Sequence, residues 1–234
     1  MNNHIYGFSG KIGVGKNYIA EKIFGKQLYD LGYKIHILAF GDQVKYEIGS
    51  RLSIIENNKK FTDEMDNIYN ELFINKTTTT RKKLQYYGTN YCRNGDNWNI
   101  NNEFTLYNQP EIWIKSLYLQ IKNILNKSYN TNKDIFIITD IRFINEADFV
   151  KNLGGKIIRI IAPNRNQQKI LEEAQKTINL HNNEIKEIIE KIKSHQSEIE
   201  LDNYNFDYYI NNEKENDNVE KEIMDIINMT SQKY

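Results

Sequence analysis

The sequence predicts an α/β fold with a parallel sheet, and three observations predict it. Four short apolar runs, HIYGFS from His4, KIHILAF from Lys34, DIFIIT from Asp134 and KIIRIIA from Lys156, have the length and composition of buried strands. The segments between them carry apolar residues at helical spacing, and strands that alternate with helices make βαβ units with parallel pairing. Between the first run and the first helical segment stands GKIGVGK, a glycine-rich bend that leads a strand into a helix.

The elements follow in order. From Gly15 to Leu31 the residues Ile19, Ile23, Leu28 and Leu31 fall near helical spacing, and Gly32 supplies the stop. KIHILAF, Lys34 to Phe40, is the second strand. From Asp42 to Asn126 the pattern is mostly helical, in DQVKYEIGSRL, DEMDNIYNELF, RKKLQYYGTNYC and EIWIKSLYLQIKNIL, and reads as an inserted helical region. DIFIIT is the clearest fully buried strand; the helix NEADFVKNLGG joins it to KIIRIIA. Residues 165–194 contain no Pro or Gly and are rich in Glu, Lys and Ile, which predicts one long helix or a helical pair, a candidate lid. FDYYIN reads as a last strand and VEKEIMDIINM as a closing helix.

Composition narrows the function. The chain has 234 residues with 31 Lys+Arg and 31 Asp+Glu, so the formal net charge is zero. That balance argues against a whole-surface nucleic-acid binder, and no nucleic-acid partner is expected. A hydrophobic fraction of 39% with abundant aromatics supports a core. The single cysteine, Cys92, excludes an intrachain disulfide and a multi-cysteine zinc site, and fits a reducing, cytoplasmic setting. No apolar run approaches the length of a membrane span, and the opening MNNHIYGFSG lacks the regions of a signal peptide, so neither membrane nor secretion is expected. A small anionic ligand remains open.

Gly10-Lys11-Ile12-Gly13-Val14-Gly15-Lys16 satisfies the G-x-x-x-x-G-K part of a phosphate-binding loop, between a predicted strand and a predicted helix. Glycines let backbone N–H groups turn toward an anion, the helix start adds unpaired donors, and Lys16 places a point charge on the outer phosphates. The rival is an ordinary glycine-rich turn. Asn17 stands where Ser or Thr normally ligates Mg²⁺; its amide oxygen is a weaker ligand, so the ion would lean also on phosphates, water and a carboxylate.

That carboxylate is Asp140. It follows DIFIIT, and in an extended chain Asp140 and Arg142 point to one side at the carboxyl end of a central strand, where open α/β sheets bind ligands. Asp140 is placed to hold Mg²⁺ or its waters and Arg142 to bind phosphate; the bland alternatives are a helix cap for Asp140 and a pair with Glu146 for Arg142. In RKKLQYYGTNYCR, Arg81, Gln85, Thr89 and Arg93 recur every four positions, so one helix face would carry two guanidiniums, an amide and a hydroxyl suited to a nucleotide monophosphate, or simply a solvated cationic face. Tyr86, Tyr87, Tyr91 and Trp113 read either as base-stacking residues or as core.

These motifs resemble those of the deoxynucleoside monophosphate kinases of large DNA viruses and phages. The resemblance runs through FSGKIGVGKNYIA, AFGDQVK, RKKLQYYGTNYCR, PEIWIKSL, FIITDIRFINEADFVKNLGGKIIRI and SHQSEIELDNYNFDYYINN, most of the chain. It implies a P-loop NTPase, nucleotide-monophosphate-kinase-like, three-layer α/β/α fold in one domain, with a helical acceptor-binding insertion at about 42–126 and a helical lid at about 163–197. It implies transfer of the ATP γ-phosphoryl group to a deoxynucleoside 5′-monophosphate with Mg²⁺, in the host cytoplasm if the protein is viral.

Carried over by motif, Gly10, Lys11, Gly13, Val14, Gly15, Lys16, Asn17 and Tyr18 would hold ATP. Asp42 and Lys45 would border the acceptor; Arg81, Gln85, Thr89 and Arg93 would line its pocket, with Trp113 nearby. Asp140, Arg142 and Glu146 would sit between the two phosphates, with Asn17 and Asp140 on the metal. The lid departs from the pattern, since residues 166–193 look like an insertion and only Arg159 and Arg165 are near, with Lys169 and Lys176 beyond. His195, Ser197 and Glu198 of SHQSE read equally as a helix end followed by a polar turn. Dimeric members of the family leave a homodimer open. The rivals are a P-loop kinase for another small acceptor, such as a phosphomevalonate-like substrate, and an ATP-binding module without turnover.

Overall fold

Two central strands, buried on both faces, organise the chain. The structure, a computed structural model, describes residues 4–55, 80, 84–94, 110–175, 182–213 and 216–231. By proximity along the fold the chain divides into two compact units, residues 1–39 with 121–234, and residues 40–120.

The first unit holds a five-stranded parallel sheet, β1 (His4–Ser9), β2 (Lys34–Leu38), β3 (Asp134–Ile141), β4 (Lys156–Ile161) and β5 (Tyr208–Asn211), in the order β2-β3-β1-β4-β5. This is the α/β fold with a parallel core sheet that the motifs imply. Strands covered by helices on both faces need near-continuous apolar runs rather than alternation. Ile135, Phe136, Ile137 and Ile138 of β3 are accordingly all buried. The edge strand β2 stops at Leu38, and Phe40, expected in it, opens the next helix instead.

Helix α1, residues 16–30, and the closing helix α9 (Asn216–Ser231) cover one face of the sheet. Ile19, Ala20, Ile23, Phe24 and Leu28 of α1 and Val219, Ile223, Ile226 and Ile227 of α9 share one apolar cluster with Tyr6, Phe8, Ile158, Ile160 and Ile210. Phe24 meets the Tyr6 and Phe8 rings edge-on at 4.8 and 5.2 Å. Residues Tyr18–Phe24 of α1 are wound as a π-helix, and α-helical turns resume at Gly25. Leu31, read from spacing as part of this face, is the C-cap and is exposed, because the helix closes at Asp30.

On the other face lies α5 (Ile144–Asn152), with Ala147 and Val150 turned inward. A Cβ on Gly7 would come within 2.1 Å of the Ile141 Cδ1 methyl and 3.5 Å of Val150, so a side chain there would require Ile141 to shift. Residues 165–194, expected as one helix or a pair, contribute α6 (Pro163–Gln175) and α7 (Asn182–Ser194), followed by the single turn α8 (Gln196–Ile199).

In the second unit, α2 (Phe40–Ile55), α3 (residues 84–91, π-wound over Tyr86–Tyr91) and the start of α4 (Ile112–Lys127) are described. DEMDNIYNELF lies outside the described residues. Gly88 of α3 packs on Val44 of α2, where a Cβ would stand 3.3 Å from the valine methyls. Among the described residues no helix is long and apolar enough to cross a membrane.

At the amino end of β3, Asp134 is fully buried and accepts from Ser128 Oγ and, at 2.6 Å, bonds His36 Nε2 on β2. Burial alone would raise its pKa, but the hydrogen bonds from Ser128 and His36 outweigh it and hold the carboxyl below its ordinary range. A carboxyl lowered in the folded state stabilises fully above its unfolded value of about 4, and that stability drains as pH falls through the lower folded value. Asp134→Ala should therefore cost about 2–4 kcal/mol at pH 7. In urea unfolding the gap between variant and native protein should narrow in acid; a gap that is constant with pH would exclude a charged Asp134.

Candidate active site

The loop after β1 is shaped by where its carbonyls go. Lys16 Nζ donates to Gly10 O at 2.6 Å and to Lys11 O at 3.0 Å. Asn166 Nδ2, from α6, donates to Ile12 O at 2.7 Å, and Asn212 Nδ2, just past β5, donates to Val14 O at 2.8 Å. Gly15 O accepts from Ile19 N at 3.0 Å, the first bond of α1. In a trans peptide the N–H points opposite to the C=O before it. With those carbonyls drawn to their donors, the N–H groups of Gly13, Gly15 and Lys16 turn to the other side, at the mouth of α1. That is the geometry of an anion cradle.

Two glycines make the bend feasible. Gly13 and Gly15 take φ of 78° and 86°, left-handed values that a side chain strains. They are also crowded: a Cβ on Gly13 would lie 2.4 Å from Lys169 Cβ, and one on Gly15 2.4 Å from Asn212 Nδ2.

At and just past the carboxyl end of β3, Asp140 and Arg142 lie near enough to Lys16 of this loop for their charges to act on it. Between Gly7 and Ser9 β1 advances two residues, while its partner advances three, from Ile138 to Ile141. This bulge contains Asp140, and bulges re-aim side chains at the ends of strands. Lys16 is buried, and its pKa is pushed down to about 7 by burial first and by the Arg142 charge second, against the opposing pull of Glu198 and Asp140. Lys16, Asp140 and Arg142 thus share one electrostatic neighbourhood.

Arg142 does not pair with Glu146 through its side chain. Its guanidinium Nη1 donates to Glu198 Oε1 at 2.6 Å. Glu146 is buried and accepts instead from the backbone N–H groups of Arg142 and Phe143, at 2.9 and 3.2 Å, so it ties down the chain on which Arg142 stands and serves the start of α5, a task that sequence reading considered for Asp140.

The other expected residues are placed as follows. Asn17 and Tyr18 are exposed on the first turn of α1, and the Asn17 side chain caps nothing. Arg159 on β4 donates to Ser9 Oγ at 3.0 Å and to Asp202 at 3.3 Å, and stands 5.1 Å from the centre of the Phe206 ring. Its pKa is lowered, by burial. Lys11 pairs with Asp202 at 2.8 Å. The Arg165 side chain is exposed, while its backbone N–H donates to Glu213 at 3.3 Å at the start of α6. Lys169 pairs with Glu172 and Glu173; Lys176 lies outside the described residues.

In the second unit Asp42 and Lys45 form an ion pair on the first turn of α2. Gln85 is half-buried, Thr89 and Arg93 are buried, and Arg93 Nη1 donates to Pro110 O at 3.0 Å. Arg81 lies outside the described residues. The segment is π-wound over Tyr86–Tyr91, with Cys92 N bonded to Tyr87 O five residues back, while Thr89 O accepts both from Arg93 N, four residues on, at 3.2 Å and from Asn94 N, five residues on, at 3.1 Å. Trp113 and Tyr87 are core: the Trp113 indole donates to Gly88 O at 2.9 Å and Tyr87 Oη to Glu47 at 2.8 Å.

Three residues at the loop had no distinct signal in the sequence: Asn166, Asn212 and, as a loop contact, Glu198. Asn166 and Asn212 are two asparagines in an asparagine-rich chain, and only the fold brings them to the carbonyls. His195 and Ser197, beside Glu198, are structural, with His195 Nδ1 accepting from Ser197 N at 3.2 Å to cap α8.

Sheet order and glycine loop together define an α/β protein with a parallel core sheet and a P-loop-like bend at the carboxyl end of β1. Within that class the chain resembles the viral deoxynucleotide monophosphate kinases: it is 32% identical over 139 residues to a protein of Acanthamoeba polyphaga mimivirus named "Putative deoxynucleotide monophosphate kinase", a match that spans 48% of this chain and 63% of that protein. Among solved structures it is similar to a dephospho-CoA kinase from Campylobacter jejuni, with a TM-score of 0.45 and 17% identity over 97% of each chain. No family model matches the chain.

An anion entering the loop favours the charged lysine and lifts Lys16 back toward its ordinary value. Binding of a polyphosphate between about pH 7 and 9 should therefore take up a proton, and below pH 7 this uptake should fade. Calorimetry in buffers of different ionisation heat reads it directly; heats independent of buffer at pH 8 would contradict the lowered pKa.

Proposed function

We propose that the protein transfers the terminal phosphoryl group of ATP to a deoxynucleoside 5′-monophosphate, forming the diphosphate for DNA precursor supply. The observation that carries this reading is the loop at residues 10–16, with its carbonyls held by Lys16, Asn166 and Asn212 and with Lys16 in one electrostatic neighbourhood with Asp140 and Arg142. The mimivirus relative's name supports the choice of acceptor.

In this reading residues 10–18 take the phosphates of ATP, with Arg159 and Arg165 as further cations. Asp42, Lys45, Gln85, Thr89, Arg93 and Arg81 contribute acceptor contacts. Asp140 and Asn17 are hard oxygen donors of the kind Mg²⁺ accepts, and among the described residues no cluster of three or more His, Cys, Asp or Glu offers it a full protein cage. A bound Mg²⁺ held by this pair together with phosphates and water would neutralise charge on the transferring group.

The acceptor is itself a phosphate with a second pKa near 6, so at neutral pH it is dianionic and needs no general base. What remains is to align two polyanions and offset their repulsion, which Lys16 and Arg142 do at the oxygens of the transferring group. Glu146 keeps Arg142 in place by holding its backbone.

A coupled ADP-release assay with dTMP, dGMP, dCMP and dAMP tests the proposal. Turnover with at least one supports it, while ATP binding without turnover on any would favour a nucleotide-binding module, the reading that Asn17 keeps alive. Lys16→Ala should lower kcat by on the order of 10²–10³-fold in a chain that still folds. Arg142→Ala should lower kcat/KM by a similar factor, and a normal value would remove it from the site.

A further inference from the structure

The phosphate-cradle reading leaves Glu198 without a task, yet Glu198 holds one backbone N–H of the glycine loop and the guanidinium of Arg142. Its Oε1 accepts from Arg142 Nη1 at 2.6 Å and its Oε2 accepts from the backbone N–H of Ile12, inside the glycine loop, at 2.9 Å. The side chain is 7% exposed, so the carboxylate has left water for these two partners. A loop N–H and a guanidinium are the two kinds of donor that a phosphoryl oxygen takes. Asp202, four residues on, engages the flanking cations Lys11 and Arg159, so one short segment matches its negative charges to the positive rim of the loop.

We propose that Glu198 is a resident stand-in for the terminal phosphoryl group: its carboxylate occupies the anion position between Ile12 N–H and Arg142, and an entering polyphosphate takes that position by displacing it. The inference rests on the cradle reading and deepens it. Glu198 sits on α8, a single turn fixed at one end by the His195 cap and at the other by Glu200 Oε1, which accepts from Ile144 N at 2.9 Å. The turn can therefore stay in place while the Glu198 side chain alone swings out. A built-in anion keeps Lys16, Arg142 and Arg159 from facing one another bare, and it weakens the binding of any ligand whose outer phosphate must evict it.

Calorimetric titration with inorganic tripolyphosphate tests this. Glu198→Gln keeps the shape but removes the competing charge, and should bind tripolyphosphate about tenfold tighter, the factor that a competing charge-assisted bond of about 1.4 kcal/mol sets. Glu198→Asp, too short to reach both donors, should also bind more tightly than the native chain. Unchanged or weaker binding in these folded variants overturns the stand-in and makes Glu198 a support for Arg142. If neither variant folds, the native chain decides: the Ile12 amide resonance must move as tripolyphosphate saturates, and a resonance that stays put overturns the proposal. Failure of the cradle reading looks different. There the native chain would bind no tripolyphosphate, or Lys16→Ala would bind it as well as the native chain does.

Discussion

Positive charge crowded into a buried loop is the constraint on which this protein's architecture turns. Lys16 is out of water and close enough to Arg142 and Arg159 for their charges to depress its pKa. Like charges at such a point repel, and burial penalises each of them. The fold answers with Asp140 and Glu198, which favour the charged lysine, and with Asp202 on Lys11 and Arg159. A cluster of cations balanced so narrowly is well suited to a polyanion, whose charge would offset the repulsion among them.

The sheet exists, in this view, to hold that cluster still. β1 delivers the loop, β3 delivers Asp140 and Arg142 beside it, and β4 delivers Arg159 on the opposite flank, because β1 lies between β3 and β4. Parallel pairing brings all three carboxyl ends to one edge, which is why chemistry in open α/β sheets gathers there. The outer braces come from elements later in the chain: Asn166 on α6 and Asn212 after β5 take the loop's carbonyls, and Glu213 accepts from the first N–H groups of α6. The loop's shape thus depends on residues more than 150 positions away along the chain.

Legibility in the sequence tracked the range of the interaction. Strands with continuous isoleucine runs, such as DIFIIT, could be read because burial on both faces writes itself into local composition. The glycine loop could be read because its φ values and close approaches demand glycine at Gly13 and Gly15. Regular spacing does not announce where a helix departs from α-geometry or where it stops: the π-winding of Tyr18–Phe24 and Tyr86–Tyr91 left no mark in the periodicity, and Leu31, in step with the apolar face, is the C-cap of a helix that ends at Asp30. Asn166, Asn212 and the Glu198 contact were illegible for another reason. Each acts through one hydrogen bond across the fold, and nothing in its local neighbours marks it.

The central claim, that the loop is a triphosphate cradle, is tested most directly by a crystal structure with a non-hydrolysable ATP analogue. The account predicts the outer phosphates within hydrogen-bonding distance of Lys16 Nζ and of the backbone N–H groups of Gly13 and Gly15, with Asp140 and Arg142 facing them. An analogue bound elsewhere, with Lys16 still donating only to Gly10 O and Lys11 O, would contradict it.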